Sequence, residues 1–360
     1  MDIESTPEKS QAIKWLLVAM AVLAALYSGG WFFLSYHLHA NIEVWIEQQK
    51  QNGTQIQFSA MNRSGFPLAV NVQLIQPNIT ANRKQATYIW RGEQAVVTMV
   101  PWQLRNIHVD LSGPQFVLIN KNSVSTVWKG MAKTLSADMR LMSTKKKVVA
   151  LNIENIIMNS GSTQSNQKSQ TVKLHRGQLV LTQSRPQKPS EKTPTLSLAA
   201  DLNEFEVPKS LPMPLGHRFS KLTLRASVLG PLPKRINARS LLAWRDAGGT
   251  IEVERLRMEH GPLQLYSNGA VAVDENLQPV GAFTAKIFGF FDVVDALRNR
   301  GLIKPNIAMT AHLVLGVLAK RDNPQSKPRL DVSVSVQNRK LYVGPLAIAK
   351  MPYIRWGGTE

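Results

Sequence analysis

The stretch that decides the fold is Asn62–Leu74, "NRSGFPLAVNVQL". A turn-like Asn-Arg-Ser-Gly runs into Phe-Pro, and then the residues alternate. Leu68, Val70, Val72 and Leu74 fall on one side, and Ala69, Asn71 and Gln73 on the other. A period of two is that of a half-buried strand. Gly65 permits a positive φ at the turn. Phe66 is placed to plug the end of an apolar layer. Pro67 lacks an N–H and suits the first residue of a strand or an edge. Each residue type thus has a backbone or packing reason to be there, and the step is read as folding rather than function.

Upstream, Trp15–Leu34, "WLLVAMAVLAALYSGGWFFL", carries no charge. Twenty helical residues rise about 30 Å, the thickness of a bilayer core. Trp15 and Trp31 stand near its ends and Tyr36 just beyond, as interfacial rings do. A cleaved signal peptide normally has a shorter apolar core, about 7–15 residues, and a small-x-small site. "SYHLHANIE" offers no such site, so the run reads as an uncleaved signal-anchor. Lys9 and Lys14 precede it, and only Lys50 and Arg63 follow closely. The positive-inside rule then puts residues 1–14 in the cytoplasm and everything after the span on the far side. The expected layout is a tail (1–14), a transmembrane helix (15–35), a juxtamembrane helix (36–52) stopped by Gly53, and a β-rich region (53–360) in the periplasm of a bacterium.

Downstream, alternation recurs. Leu135, Ala137, Met139 and Leu141 share a face, as do Leu196, Leu198, Ala200 and Leu202. So do Leu222, Leu224, Ala226 and Val228, and again Leu330, Val332, Val334 and Val336. Gly, Pro and Asn punctuate the runs, the mark of an antiparallel meander with one wet and one apolar face. Two polar stretches, 160–170 and 182–195, read as surface insertions. One further helix stands out, Phe290–Arg300, with Phe291, Val294 and Leu297 on one side. In "GPLQLYSNGAVAVDENLQPVGAF", Asn268-Gly269 is a strong hairpin signal. A turn there would pair apolar with polar residues, whereas a straight strand keeps Leu263, Leu265, Val271 and Val273 in phase. Register follows the buried face. One long strand is therefore expected, with Gly269 at a bulge or close approach and the turn at Asp274–Gln278.

The net charge of +19 implies an anionic partner, but the basic residues are scattered, Lys145–Lys147 being the longest run, and charge so dispersed is usually a solvated surface rather than a binding patch. Location beyond the membrane argues against nucleic acid and for anionic lipid. The absence of cysteine removes disulfides and thiol nucleophiles. No nucleophile elbow, phosphate loop or paired-histidine metal motif occurs. His37 and His39 read as interfacial side chains rather than a metal pair, and Glu254, Glu259 and His260 as solvent-facing polar positions. No catalytic, cofactor or metal residue is assigned, and an enzyme is not expected. Strand after strand instead carries an apolar face that few helices can cover, and such a surface cannot stay bare in water. A sandwich, a closed barrel and a folded sheet whose groove holds something apolar all satisfy the pattern.

The span, a following helix with Trp45, and then "SGFPLAVNVQL" resemble the layout of the bacterial family catalogued as domain of unknown function 2125. In that family a Gly-(Phe/Tyr)-Pro step, here Gly65-Phe66-Pro67, opens a β-rich extracytoplasmic region. "LLAWRDAGGTIEVERLRMEHGPLQLYSNGAVAVDENLQPVGAF" is similar to its Gly-punctuated strand pairs and to those of AsmA-like envelope proteins. "LYVGPLAIAKMPYIRW" fits a terminal strand ending at Pro352. The family has no assigned activity, and the AsmA-like likeness implies lipid or outer-membrane homeostasis by analogy only. The expectation is a mainly β, single-pass inner-membrane protein of envelope maintenance. Its lipid-binding face would include Leu222, Leu224, Val332 and Val334. The alternative is a scaffold or assembly factor with a closed β core that binds an envelope protein.

Overall fold

The computed structural model describes residues 7–83, 86–121, 124–162, 169–186, 192–231, 233, 237–323, 325–344 and 346–356. Residues 1–6 of the expected tail, and 163–168 and 187–191 of the two polar insertions, lie outside the described residues. The chain divides into two compact units, residues 1–111 with 116–125, and residues 112–115 with 126–360.

The first unit begins with α1, Pro7–Gln51, a single helix of 45 residues. It is long and apolar enough to cross a membrane. Every described side chain from Gln11 to Leu26 is exposed. From Trp31 on, a stripe at helical spacing turns inward: Trp31, Ser35 and Leu38 are buried, and Leu34 and Ile42 pack beside them. The expected juxtamembrane helix is the continuation of the same apolar helix, because nothing between Leu34 and Ala40 is a glycine or proline to break it. Asn52 and Gly53 end it, with Asn52 Nδ2 donating to the Gln48 carbonyl at 2.9 Å and Gly53 at φ +77°.

Eight strands follow: β1 Thr54–Gln57, β2 Ala60–Ser64, β3 Val70–Ile75, β4 Asn78–Arg83, β5 Ala86–Gly92, β6 Gln94–Met99, β7 Asn106–Asp110 and β8 Gly113–Lys121. β2, β3, β6 and β7 pair antiparallel in that order, and β1, β4 and β5 form a second ladder. Val70 and Val72 are fully buried against Trp31 and Leu38. The quoted stretch therefore supplies the core strand, with two corrections. Two strands precede it, and it starts at Val70, so Leu68 stands outside the sheet and exposed. Phe66 does not plug the sheet. It lies against α1, edge-on to Trp31 (5.3 Å) and stacked with Phe32 (6.2 Å). Gly65 has the positive φ expected of it, +100°, and a Cβ there would sit 2.5 Å from the Ala69 carbonyl oxygen.

The second unit is an antiparallel meander of β9 Val124–Ser143, β10 Lys146–Ser162, β11 Gln170–Ser184, β12 Pro194–Glu206, β13 Arg218–Leu229, β14 Thr250–His260, β15 Leu263–Val273, β16 Pro279–Phe288, β17 Arg329–Gln337, β18 Lys340–Val343 and β19 Leu346–Lys350. Each strand pairs with the next, and the sheet does not close into a barrel. β10, β11 and β12 run into both polar insertions from their flanks. The expected terminal strand is two, β18 and β19, hinged at Gly344 with φ +56°. β15 runs straight through Asn268-Gly269, and the turn falls at Asp274–Gln278, where the Asp274 carboxylate accepts from the N–H groups of Asn276 and Gln278.

Among the described residues three helices interrupt the meander: α2 Ala238–Asp246, α3 Phe290–Asn299 and α4 Pro305–Leu318. Only α3 was legible. α2 is short, but Asn237 and Ser240 close a reciprocal cap on it (2.8 and 3.0 Å). Trp244 then lies flat over Gly249, where a Cβ would come within 2.3 Å of the ring, and donates to the Leu229 carbonyl at 2.9 Å. α4 opens with Pro305 and is apolar nearly all round, so it shows no helical period to read.

Candidate functional site

Directly paired residues in a sheet point to the same side, so the register fixes what each face carries. Across β12–β17 one rung reads Leu202, Leu222, Met258, Leu265, Ile287, Leu330. The next is Ala200, Leu224, Leu256, Ser267, Ala285, Val332, and a third Leu198, Ala226, Val253, Gly269, Phe283, Val334. Leu222, Leu224, Val332 and Val334, chosen from separate alternations, thus share one face. It continues through β11 and β10 with Leu179, Leu151 and Ile153.

This face is apolar, yet among the described residues of this unit no layer packs over its middle. In the three rungs only Ala200, Ala285 and Leu330 are buried, and the other large side chains are half-buried. Cover exists at the strand ends. α2 packs Leu241 and Trp244 with Leu277, Val228 and Val273 at one end. Near the other end Phe205, Phe219 and His260 stack at 4.6 and 3.9 Å, and His260 Nε2 meets the Gly216 carbonyl at 2.7 Å. His260 is therefore buried on the apolar side, in phase with Leu256 and Met258, and not solvent-facing as its grouping with Glu254 and Glu259 suggests. A bulge on β13 at Ser220 keeps Phe219 and Leu222 on one face and so brings Phe219 opposite His260.

The opposite face is charged. The rung Asp201, Thr223, Arg257, Tyr266, Lys286, Asp331 lines a cleft of about 1010 Å³ together with Lys221, Arg225 and Arg255. Arg225 binds Asp201 at 2.6 Å, and Arg257 binds Glu259 while lying over the Tyr266 ring. Burial pushes the Asp201 carboxyl up, but hydrogen bonds from Arg225 and Thr223 and the charges of Arg225 and Lys221 outweigh it and hold its pKa below the ordinary value. These residues interleave with the apolar ones along the same strands, and their alternation was the signal available to find them. Glu254 accepts a hydrogen bond from Ser227 and stands apart from His260 in role.

Elsewhere, α4 turns a large apolar surface outward. Met309, Leu313 and Val317 are exposed, the last by 87%. The helix is held to α3 by stacking of His312 on Phe291 and by His312 Nε2 at 3.2 Å from Asp295. In the first unit Trp15 and Tyr36 are exposed on α1. Trp31 is not a free interfacial ring, because it is buried and its indole donates to the Ala69 carbonyl at 2.9 Å. His37 rests on Phe33, and His39 lies 3.8 Å from Glu43.

A long apolar N-terminal helix, followed by a large antiparallel sheet that does not close into a barrel and carries one apolar and one charged face, defines a mainly β protein. The chain belongs to the domain of unknown function 2125 family, described as uncharacterised proteins conserved in bacteria, whose family model matches residues 31–352. No curated protein and no solved structure matches it.

Proposed function

We propose that this is a non-enzymatic periplasmic protein of the bacterial cell envelope, anchored in the inner membrane by α1, that binds or shields lipid on the apolar face of the β9–β19 meander. One observation carries the reading: the three apolar rungs cross six strands with almost nothing buried on them. Acyl chains laid along such a face contribute about 0.8 kcal/mol for each methylene removed from water. Ten methylenes give about 8 kcal/mol before the cost of ordering the chain. Lys9 and Lys14 ahead of the apolar run support the orientation, and the basic excess of the sequence suits anionic headgroups.

Site-specific photocrosslinking in cells tests it. A benzophenone amino acid replaces Leu224 or Val334 on the apolar face, or Thr284 on the charged face as control. Lipid adducts at 224 and 334 and none at 284 are expected. Protein adducts at 224 and 334 without lipid would instead support the scaffold that binds an envelope protein.

A further inference from the structure

The Gly65–Ala69 loop touches α1 at an unexpected height. Tyr27 Oη donates to the Pro67 carbonyl at 2.5 Å, and Trp31 Nε1 donates to the Ala69 carbonyl at 2.9 Å. Both donors lie inside the charge-free run that ends at Leu34. At 1.5 Å per residue, Trp31 is about 4.5 Å and Tyr27 about 10 Å short of that end. If α1 spans, the loop reaches the membrane. The two carbonyls that a lipid-facing loop could least afford to leave bare are the ones the Tyr and Trp satisfy.

A second loop leaves the sheet beside it. Val70, the first residue of β3, pairs with Met99, the last of β6, so residues 65–69 and 100–105 project from the same end. The latter turn is closed by Gln103 N–H to the Val100 carbonyl at 2.8 Å. Its tip presents Trp102 and Leu104, while the first loop presents Phe66 and Leu68. All four are 52–69% exposed, and Arg105 follows directly, also exposed. Large apolar and indole side chains on two tight turns, next to a cation and at the level of a span's outer end, match what the headgroup–acyl boundary accepts.

We propose that these two turns form a second membrane contact. Phe66, Leu68, Trp102 and Leu104 insert into the leaflet where α1 emerges, and so fix the first unit against the bilayer rather than leaving it tethered by the helix alone. The occupant of the patch is the bilayer surface itself. The Gly-Phe-Pro step then has a role beyond folding, since Gly65 and Pro67 shape a turn that carries Phe66 and Leu68 to the lipid. The inference rests on α1 being a transmembrane helix.

The native chain has no cysteine, so single cysteines can be spin-labelled without background. Four full-length variants, Leu23→Cys, Leu68→Cys, Leu104→Cys and Tyr88→Cys, are reconstituted into vesicles of phosphatidylethanolamine and phosphatidylglycerol. The accessibility of each label to oxygen and to a water-soluble nickel complex is then measured. Tyr88 is the aqueous control: it pairs with Ala81, which pairs with Thr54 beyond the far end of α1. The expected order of oxygen-to-nickel ratio is Leu23 highest, Leu68 and Leu104 intermediate, Tyr88 lowest. A deep Leu23 with Leu68 and Leu104 equal to Tyr88 overturns the second contact and leaves the span intact. An aqueous Leu23 refutes the span, and this contact with it.

Discussion

Replacing Gly269 with valine tests the central register of the meander. Gly269 lies in mid-β15, opposite Phe283 of β16 and Val253 of β14. A Cβ built on it would lie 2.2 Å from the Ala282 carbonyl oxygen and 2.7 Å from Phe283 Cα, where real Cβ contacts essentially never fall below 3.0 Å. The offending atoms are backbone, so β15 and β16 must part by most of an ångström at a paired position. Overpacking of this kind costs about 1–3 kcal/mol, and valine's two further methyls put the expectation at the upper end. In a unit of this size each kcal/mol is worth about 2–4 °C in Tm, so a fall of about 6–12 °C is expected in thermal melts followed by circular dichroism. Asn268→Ala is the control. Its side chain is exposed and accepts one hydrogen bond from Thr284, so it should lose no more than about 1 kcal/mol. Equal melting of Gly269→Val and wild type, or equal losses for the two variants, would refute the straight-strand register.

Trp31→Ala removes a buried ring and the indole that holds the Ala69 carbonyl; a loss of about 3–5 kcal/mol should appear as faster proteolysis within the first unit. Asp201 has a depressed pKa in the folded protein, so its contribution is present above the ordinary carboxylate value of 3.8 and is lost as pH falls through the lower folded value. Asp201→Asn should therefore lose under about 1 kcal/mol near neutrality, with the gap to wild type closing below pH 3.8, measured by urea melts across pH. Leu330→Asp, at a buried rung position, should abolish folded yield, whereas Val334→Asp on the half-buried part of the same strand should fold. Equal yields would show that the face is uniformly closed or uniformly open.

The alternations that predicted β3, β12, β13 and β17 were legible because one side of each strand is apolar and the other polar, and hydrogen bonding then leaves little freedom of register. The Asn268-Gly269 reading succeeded for the same reason: face consistency outweighed a local turn signal. The two missed helices failed for opposite causes. α2 is too short for a period to emerge and is made stable by the fit of Trp244 over Gly249, a tertiary contact with no sequence signature. α4 is so uniformly apolar that no face can be distinguished. Phe66 and Leu68 were assigned to the sheet because the alternation ran back through them. Phe66 contacts a helix more than thirty residues earlier, which period alone does not reveal, and Leu68 is exposed. His260 falls on the apolar face because it keeps the period of Leu256 and Met258 along β14; grouping it with Glu254 and Glu259 by residue type hides that alternation.

The meander's own architecture argues that its apolar face is not an unfinished core. Its strands are held by long ladders, β10 and β11 pairing from Lys146–Ser184 to Ser160–Gln170, so the sheet does not need a second layer to define its register. A chain under pressure to close that face has helices available to do it. α4 is the most apolar of those after the span, yet it packs through His312 and Ala308 and turns Leu313 and Val317 outward. α2 spends its two buried side chains on one end of the face only. Meanwhile the reverse side of the same strands carries internal ion pairs, Arg225 with Asp201, Arg257 with Glu259, and Arg329 with Asp331, the chemistry of a face turned to water. Among the described residues of the meander, one face is paired and polar and the other is apolar and mostly half-buried, on the same strands. The proposed lipid cover is the one whose chemistry matches these Leu, Ile, Val and Phe rungs.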